Sequence, residues 1–174
     1  MSTPLIASLP GNEVFGKSLG QLLSIPTVDL GVHRFPDGES LIQYPVPVAN
    51  RDVVLLCTLD RPDEKFLPLL FAAKTARELG ASSIGLVAPY LCYMRQDNRF
   101  HPGEALSAKI FAATLSNMID WLVTVDPHLH RLSSLSDIFS VPVSALHADQ
   151  EIATWIAREV RHPLLIGPDA ESAQ

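Results

Sequence analysis

The sequence predicts an α/β protein with a mostly parallel sheet flanked by helices. Short apolar runs of strand length alternate with segments that carry apolar residues at helical spacing, which is typical of this class. Two of the runs, 52–57 and 84–88, are almost continuously apolar, as expected for strands covered on both faces. Polar segments follow three of the runs, after Ala88, Val125 and Ile166. These points lie beyond the carboxyl edge of such a sheet, where ligands bind in this class.

Composition excludes several classes of protein. The chain has 174 residues, of which 47% are hydrophobic, enough for a sizeable core in one domain or slightly more. Its formal net charge of −6 provides no basic field for nucleic acid. The two cysteines have no C-x-x-C spacing and suit a reducing compartment, and no apolar run reaches the length of a membrane span. We therefore expect a cytoplasmic protein that binds neither nucleic acid nor a membrane.

The elements are expected in a regular order along the chain. Asn12 is expected to cap the first helix and Asp149 the last, since both side chains can accept a hydrogen bond from a helix N-terminus. The apolar stripe of the first helix comprises Val14, Phe15, Leu19, Leu22 and Leu23. Strands are predicted at 5–9, 27–32, 41–48, 52–57, 84–88, 121–125, 141–145 and 164–166, and helices at 12–23, 65–79, 106–115 and 149–159. Pro45 and Pro47 restrict the third strand to an edge or end it early.

The polar segment 88–104 is the most informative stretch. Its polar side chains include Arg95, Gln96, Asp97, Asn98 and Arg99. Guanidinium groups form paired hydrogen bonds with phosphate oxygens, amides add donors, and a carboxylate can hold a phosphate-bound Mg²⁺ directly or through water. The segment is therefore either a polyanion site or a solvated loop with a few surface charges.

A second polar cluster follows the predicted strand 121–125. Asp126 and His128 could bind a divalent cation or exchange protons, and His130 completes an H-x-H pair that also permits a zinc site. No third ligand stands at a diagnostic zinc spacing. Asp169 follows the last predicted strand and could share a cation with His128, or it could be a turn residue after proline.

The segment 33–39 permits two interpretations. Phe35 could stack on a flat base while Asp37 and Glu39 accept hydrogen bonds from an exocyclic amine. Alternatively, residues 36–38 form a tight turn and Phe35 lies in the core. The common Gly-rich nucleotide, hydrolase and zincin motifs are absent from the sequence.

Taken together, these segments resemble ribose-phosphate pyrophosphokinase, the family that makes phosphoribosyl pyrophosphate (PRPP). The resemblance runs from about Leu5 to the end of the chain and rests on separated motifs in the family's order. They are Arg34-Phe-Pro-Asp-Gly-Glu39, Pro89-Tyr-x-x-Tyr-x-Arg95-Gln-Asp97, Pro102-Gly-Glu104 with Ser107-Ala-Lys109, Asp126-x-His128 and Gly167-Pro-Asp-Ala170.

The resemblance implies Mg²⁺-dependent transfer of the diphosphoryl group of ATP to ribose 5-phosphate, giving PRPP and AMP. It implies catalytic roles for Arg95 and His128 and a metal site formed by His128 and Asp169. The nucleotide-binding residues that it implies are Phe35, Asp37, Glu39, Arg95, Gln96 and Asp97. It also implies a phosphoribosyltransferase-like domain and a dimer-based homo-oligomer, such as a hexamer, in which the loop around Phe35 reaches a neighbouring subunit's site.

The family pattern continues past the last residue of this chain, into a catalytic loop and a ribose 5-phosphate segment. We therefore expect an N-terminal domain at 1–146 and the start of a truncated second phosphoribosyltransferase-like domain at 147–174, inactive by itself. The sequence after His128 departs from the usual family pattern, which leaves the role of His130 open. A non-catalytic subunit that regulates an active synthetase is the alternative function. A phosphoribosyltransferase ranks last because its acidic PRPP-binding strand end is missing.

Overall fold

The structure, a computed structural model, describes residues 3–167. In this range the chain forms β1 (Thr3–Ser8), α1 (Glu13–Leu23), β2 (Thr27–Asp29), β3 (Gly31–Arg34), β4 (Ser40–Gln43), β5 (Arg51–Leu56), α2 (Pro62–Glu78), β6 (Ser83–Ala88), α3 (Ser107–Ser116), β7 (Trp121–Val125), a short 3₁₀ helix (Leu135–Asp137), β8 (Val143–Leu146) and α4 (Asp149–Glu159). No helix within 3–167 has the length and apolar character needed to cross a membrane.

Six strands form one sheet in the order β2-β1-β5-β6-β7-β8, and every pair of neighbours is parallel. The central strands β5 and β6 are the most deeply buried, since Val53, Leu55, Ile84 and Leu86 are inaccessible to solvent. Parallel strands place all their carboxyl ends along one edge. The predicted α/β class with a mostly parallel sheet is therefore confirmed.

The remaining two strands, β3 and β4, form an antiparallel hairpin outside the main sheet. Two hydrogen bonds fasten this hairpin and the chain after it to α2: Tyr44 Oη donates to Ala72 O at 2.8 Å, and Arg34 Nη2 donates to Glu64 O at 2.8 Å. The predicted strand 27–32 is divided between β2 and β3. The predicted strand 41–48 ends at Gln43, ahead of the two prolines that cannot donate to a ladder.

Helix α1 packs on the sheet through glycines, so the predicted apolar stripe was wrong as a core face. Val14 and Leu22 are each 81% exposed, whereas Gly16 and Gly20 are buried. A Cβ atom on Gly16 would lie 2.1 Å from Ser8 Oγ, and one on Gly20 would lie 2.2 Å from a methyl group of Thr27. The helix backbone approaches the strands closely through its glycine face, and four of the five predicted stripe residues, all except Leu19, are exposed.

Neither of the two residues predicted as helix caps makes a capping hydrogen bond through its side chain. Asn12 occupies the N-cap position of α1, but its Oδ1 accepts hydrogen bonds from the amide and hydroxyl of Thr58, both at 2.9 Å. These two bonds join the loop after β1 to the loop after β5, so the side chain stabilises tertiary structure instead of the helix N-terminus. In α4 the N-cap is Ala148, and Asp149 is already the first helical residue.

The predicted strand at 164–166 is not formed. Leu164, Leu165 and Ile166 are 77–84% exposed and pair with no strand of the described chain. Helix α4 likewise contains no buried residue, and its Ile152 and Trp155 are more than half exposed. A strand requires a neighbour for its backbone groups, and none of the described strands reaches this run.

Candidate active site

The loops that follow β6 and β7 lie side by side at the carboxyl edge of the sheet. They span 89–106 and 126–134 and follow neighbouring parallel strands, in which Ala88 pairs with Thr124. This is the place that the crevice rule for open α/β sheets assigns to ligands. The structure therefore brings together the two polar clusters that the sequence analysis singled out.

The loop after β6 turns sharply at Tyr93, whose φ of 63° lies in the left-handed region that non-glycine residues rarely adopt. Two backbone hydrogen bonds hold the turn and join it to α3: Gln96 N donates to Tyr93 O at 3.0 Å, and Ala108 N donates to Gln96 O at 3.1 Å. The Tyr93 hydroxyl donates to Asp63 at the start of α2, and this bond raises the pKa of Tyr93 to about 12. Residues after Tyr93 are thereby fixed to both α2 and α3.

Arg95 and Gln96 are exposed at the start of this fixed segment. The guanidinium of Arg95 makes no hydrogen bond or ion pair with any residue in 3–167, so all its donors are available to a ligand. Arg99 differs, because its Nε donates to Glu104 O at 2.9 Å within the same loop. Of the two arginines considered for phosphate, Arg95 is the one that the fold leaves unengaged.

Glu104 organises the far part of the loop. Its Oε2 accepts from the amides of Phe100 at 2.8 Å and His101 at 3.0 Å, and its Oε1 lies 2.6 Å from the Nδ1 of His101. The contact with the His101 ring, followed by the two amide bonds, lowers the pKa of Glu104. This carboxylate therefore closes the loop on itself.

Asp97 contacts the neighbouring loop and is almost completely covered, with 1% of its side chain exposed. Its Oδ1 accepts from Arg131 Nη1 at 3.0 Å and its Oδ2 accepts from the amide of Arg131 at 3.2 Å. Burial acts to raise the pKa of Asp97, but the hydrogen bonds and the charge of Arg131 outweigh it and lower that pKa. Both oxygens of the residue expected at the nucleotide are thus already used by Arg131.

The loop after β7 begins with a second left-handed residue, Asp126, at φ 41°. Its carboxylate accepts from the amide of Ala148 at 3.2 Å and lies 3.1 Å from the Nδ1 of His147, at the start of α4. His128 and His130 are exposed, with ring centroids 6.0 Å apart in a stacked arrangement. Asp126 thus ties β7 to the start of α4, and His128 is an exposed residue of the loop at the carboxyl edge of the sheet.

A complete metal site is not present among residues 3–167: no group of three His, Cys, Asp or Glu side chains is placed to share an ion. Each oxygen of Asp126 is in contact with one residue, His147 or Ala148, and His128 and His130 are the exposed imidazoles of this loop. Mg²⁺ prefers oxygen ligands, and a single imidazole does not satisfy it. The expected partner, Asp169, lies outside the described residues.

The segment 35–39 forms the tip of the hairpin. Gly38 N donates to Phe35 O at 2.9 Å, which confirms the tight turn, and Asp37 Oδ1 accepts from Glu39 N at 3.1 Å. Phe35 is 41% exposed and meets His33 edge-on, so the alternative that placed it in the core is wrong. Within the described chain this tip forms no hydrogen bond with the loops after β6 and β7. The hairpin tip therefore exposes an aromatic ring and two carboxylates to solvent.

A family model for the N-terminal domain of ribose phosphate pyrophosphokinase matches residues 5–118. The chain belongs to the ribose phosphate pyrophosphokinase family. Among curated members, the ribose-phosphate pyrophosphokinase of Saccharolobus solfataricus is 39% identical over 155 residues, which cover 88% of this chain and 52% of that protein. The corresponding protein of Methanothermobacter thermautotrophicus is 35% identical over 166 residues, covering 95% of this chain and 57% of that protein.

The crystal structure of phosphoribosylpyrophosphate synthetase from Mycobacterium smegmatis has the same fold as this member of the pyrophosphokinase family. It superimposes with a TM-score of 0.82 over 91% of this chain and 53% of that chain, at 19% sequence identity. The chain spans about half the length of the curated relatives it matches.

Sequence reasoning missed three residues that contribute contacts to the candidate site: Arg131, Asp63 and His147. Arg131 contacts a residue 34 positions away, and Asp63 and His147 meet partners 30 and 21 positions away. None carries a local motif. The sequence allowed us to predict that two loops lie close together at one edge of the sheet. It did not allow us to predict which side chains of those loops are in contact.

Proposed function

We propose that a full-length protein carrying this chain is a ribose-phosphate diphosphokinase, which transfers the diphosphoryl group of ATP to ribose 5-phosphate. The observation that carries the proposal is the unpaired, exposed Arg95 on a fixed loop beside the loop that presents His128, at the carboxyl edge of the sheet. Membership in the pyrophosphokinase family supplies the reaction.

In the proposed reaction the 1-hydroxyl oxygen of ribose 5-phosphate attacks the β-phosphorus of ATP. The bond from that phosphorus to the oxygen bridging the α-phosphate breaks, AMP leaves, and the hydroxyl proton passes to a base or to water. Arg95 would bind the phosphates through paired donors and stabilise the charge that develops there. His128 lies where it could contact the same phosphates, and Gln96 would orient the nucleotide.

The exposed Phe35, with Asp37 and Glu39, would bind adenine in a neighbouring copy's site. This proposal is supported by the solvent exposure of the hairpin tip, and it requires a homo-oligomer built from dimers. When bound, Mg²⁺ would neutralise charge on the phosphates. The described residues do not complete a site for this ion, so its other ligands would come from the phosphates and from Asp169.

We further propose that residues 1–146 form one phosphoribosyltransferase-like domain and that 147–174 begin a second one. Helix α4 and the run 164–166 support this division, because neither has a buried side chain against the first domain. Their exposed apolar residues would pack in the second unit.

The decisive assay measures PRPP and AMP formation from ATP and ribose 5-phosphate. We expect activity from a full-length protein and none above a heat-killed control from the 174-residue chain, because the proposed second domain supplies the ribose 5-phosphate site and the catalytic loop. Activity of the 174-residue chain would contradict the proposal that catalysis requires the second domain. A full-length protein that is inactive alone but alters the rate of an active synthetase favours the regulatory alternative.

A separate prediction concerns the proposed metal site. In the full-length enzyme, His128→Ala and Asp169→Ala are each expected to raise the Mg²⁺ concentration needed for half activity, Asp169→Ala by more, because Mg²⁺ prefers oxygen ligands. If both bind one ion, the double variant is less impaired than the sum of the two single losses. Strictly additive losses in a Mg²⁺ titration contradict a shared site.

A further inference from the structure

The two loops of the candidate site are joined by one charged pair, Asp97 and Arg131. The carboxylate is 1% exposed and receives two hydrogen bonds from a single residue, one from the guanidinium at 3.0 Å and one from the backbone amide at 3.2 Å. Because the second bond comes from the backbone, Asp97 fixes the position of the chain at 131 as well as the side chain. Charge-assisted bonds of this kind are among the strongest in proteins.

Arg131 has a second contact on the same loop. Its guanidinium carbon lies 5.3 Å from the centroid of the Phe100 ring, within the range of a cation–π interaction. One side chain from the loop after β7 therefore holds the loop after β6 at both Asp97 and Phe100. The held stretch begins two residues after Arg95, and Arg131 itself stands three residues after His128.

The contrast with the neighbouring residues indicates what the pair does. Arg95 and His128 are exposed, whereas Asp97, in the same segment as Arg95, is covered and fully engaged. The loop after β6 contains 18 residues, 89–106, with no helix or strand of its own. A long loop loses considerable entropy when it orders around a ligand, and contacts that order it beforehand raise affinity.

We propose that Arg131 is a positioning residue of the nucleotide site. Through Asp97 and Phe100 it locks the loop that carries Arg95 to the loop that carries His128, so that both phosphate-binding side chains are held at a fixed separation. This inference rests on the proposed function and adds to it a residue that contacts no substrate.

The pair also has an electrostatic consequence that distinguishes its two members. Asp97 places a negative charge two residues from Arg95, close to where phosphates would bind. Arg131 neutralises that charge. Removing Arg131 would leave a carboxylate without its cation beside a polyanion, whereas changing Asp97 to asparagine removes the ion pair without leaving a negative charge. The two substitutions should therefore differ in severity.

Steady-state kinetics of the full-length enzyme test whether the Arg131 substitution is more severe than the Asp97 substitution. Arg131→Ala is expected to raise the KM for ATP on the order of 10-fold, with a smaller change in kcat, because loop order governs nucleotide binding. Asp97→Asn should raise KM by less. The double variant should resemble Asp97→Asn, since it no longer contains a carboxylate without a cationic partner. Arg131→Lys, which retains the charge but loses the planar fork, should fall between the unsubstituted enzyme and Arg131→Ala.

The matched control is the pair formed by Arg77 and Asp120. Arg77 Nη2 donates to Asp120 Oδ1 at 2.8 Å, and Asp120 precedes β7, at the sheet edge opposite the candidate site. Arg77→Ala removes an arginine–aspartate bond of the same kind and should leave the KM for ATP unchanged. An equal rise in KM for Arg77→Ala and Arg131→Ala would reduce the role of Arg131 to general stability and overturn the inference.

Amide hydrogen exchange without nucleotide separates this inference from the proposed function. In the same full-length protein, exchange across 95–100 should accelerate on the order of 10-fold in Arg131→Ala and stay unchanged in Arg77→Ala. If the unsubstituted protein forms no PRPP, the proposed function fails, and the exchange data still decide whether Arg131 orders the loop. Unchanged exchange in Arg131→Ala, or unchanged KM despite faster exchange, overturns the inference.

Discussion

Replacing Arg95 with alanine in a full-length enzyme that carries this chain is expected to lower turnover by roughly 10²-fold or more. Arg95 is the arginine of its loop whose guanidinium has no partner within residues 3–167, so its donors are not required by the fold. Its contribution should therefore appear in catalysis and not in stability. Turnover under saturating ATP and the melting temperature, measured on the same preparation, separate the two.

Arg99→Ala is the matched control for this experiment. It removes the same type of side chain four residues away, but one whose Nε is bonded to Glu104 O at 2.9 Å. We expect a modest loss of stability and a much smaller loss of turnover. Arg95→Lys should recover part of the rate, since a lysine keeps the charge without the paired donors. Unchanged turnover in Arg95→Ala with normal ATP affinity would show that this loop is not at the phosphates.

The central strands were predictable from the sequence because burial on both faces restricts which residue types they can contain. Strands covered on both faces must be apolar along their whole length, and β5, β6 and β7 lie within one residue of the predicted bounds. The same reasoning failed for helix α1, because four of the five residues of its predicted apolar stripe are exposed. Its packing is decided by how closely two glycines let it approach β1 and β2, and periodicity does not encode that distance.

The position of the candidate site was predictable from the sequence, but the hydrogen bonds and ion pairs within it were not. Polar residues after the ends of β6 and β7 had to meet at one edge, and the Asp97–Arg131 contact confirms that they do. Which donor binds which carboxylate depends on loop conformations set by Tyr93 and Asp126, two non-glycine residues with positive φ. Such conformations arise where tertiary contacts overcome local preference, so the sequence gives no sign of them.

The structure also locates a position where one added methyl group should be costly, Gly85 in β6. Gly85 pairs with Trp121 of β7, and a Cβ atom on Gly85 would lie 2.0 Å from Cζ2 of the Trp121 ring. The backbone cannot slide to make room. Asp120, the residue before Trp121, is bonded to Ile84 through its amide at 2.7 Å and through its Oδ2 at 2.7 Å. The ring itself must therefore move.

Gly85→Ala is accordingly expected to destabilise the protein by about 1–3 kcal/mol, measured by chemical denaturation. Gly31→Ala is the matched control: it adds the same methyl group to a strand glycine whose nearest neighbour, Gln43 Cβ, would lie at an ordinary 3.5 Å. Its effect should be within about 0.5 kcal/mol of zero. In a Trp121→Leu background the cost of Gly85→Ala should largely disappear, because the ring that blocks the new Cβ is gone. An equal cost in both backgrounds would show that the strain lies in the backbone of β6 and not in the contact with Trp121.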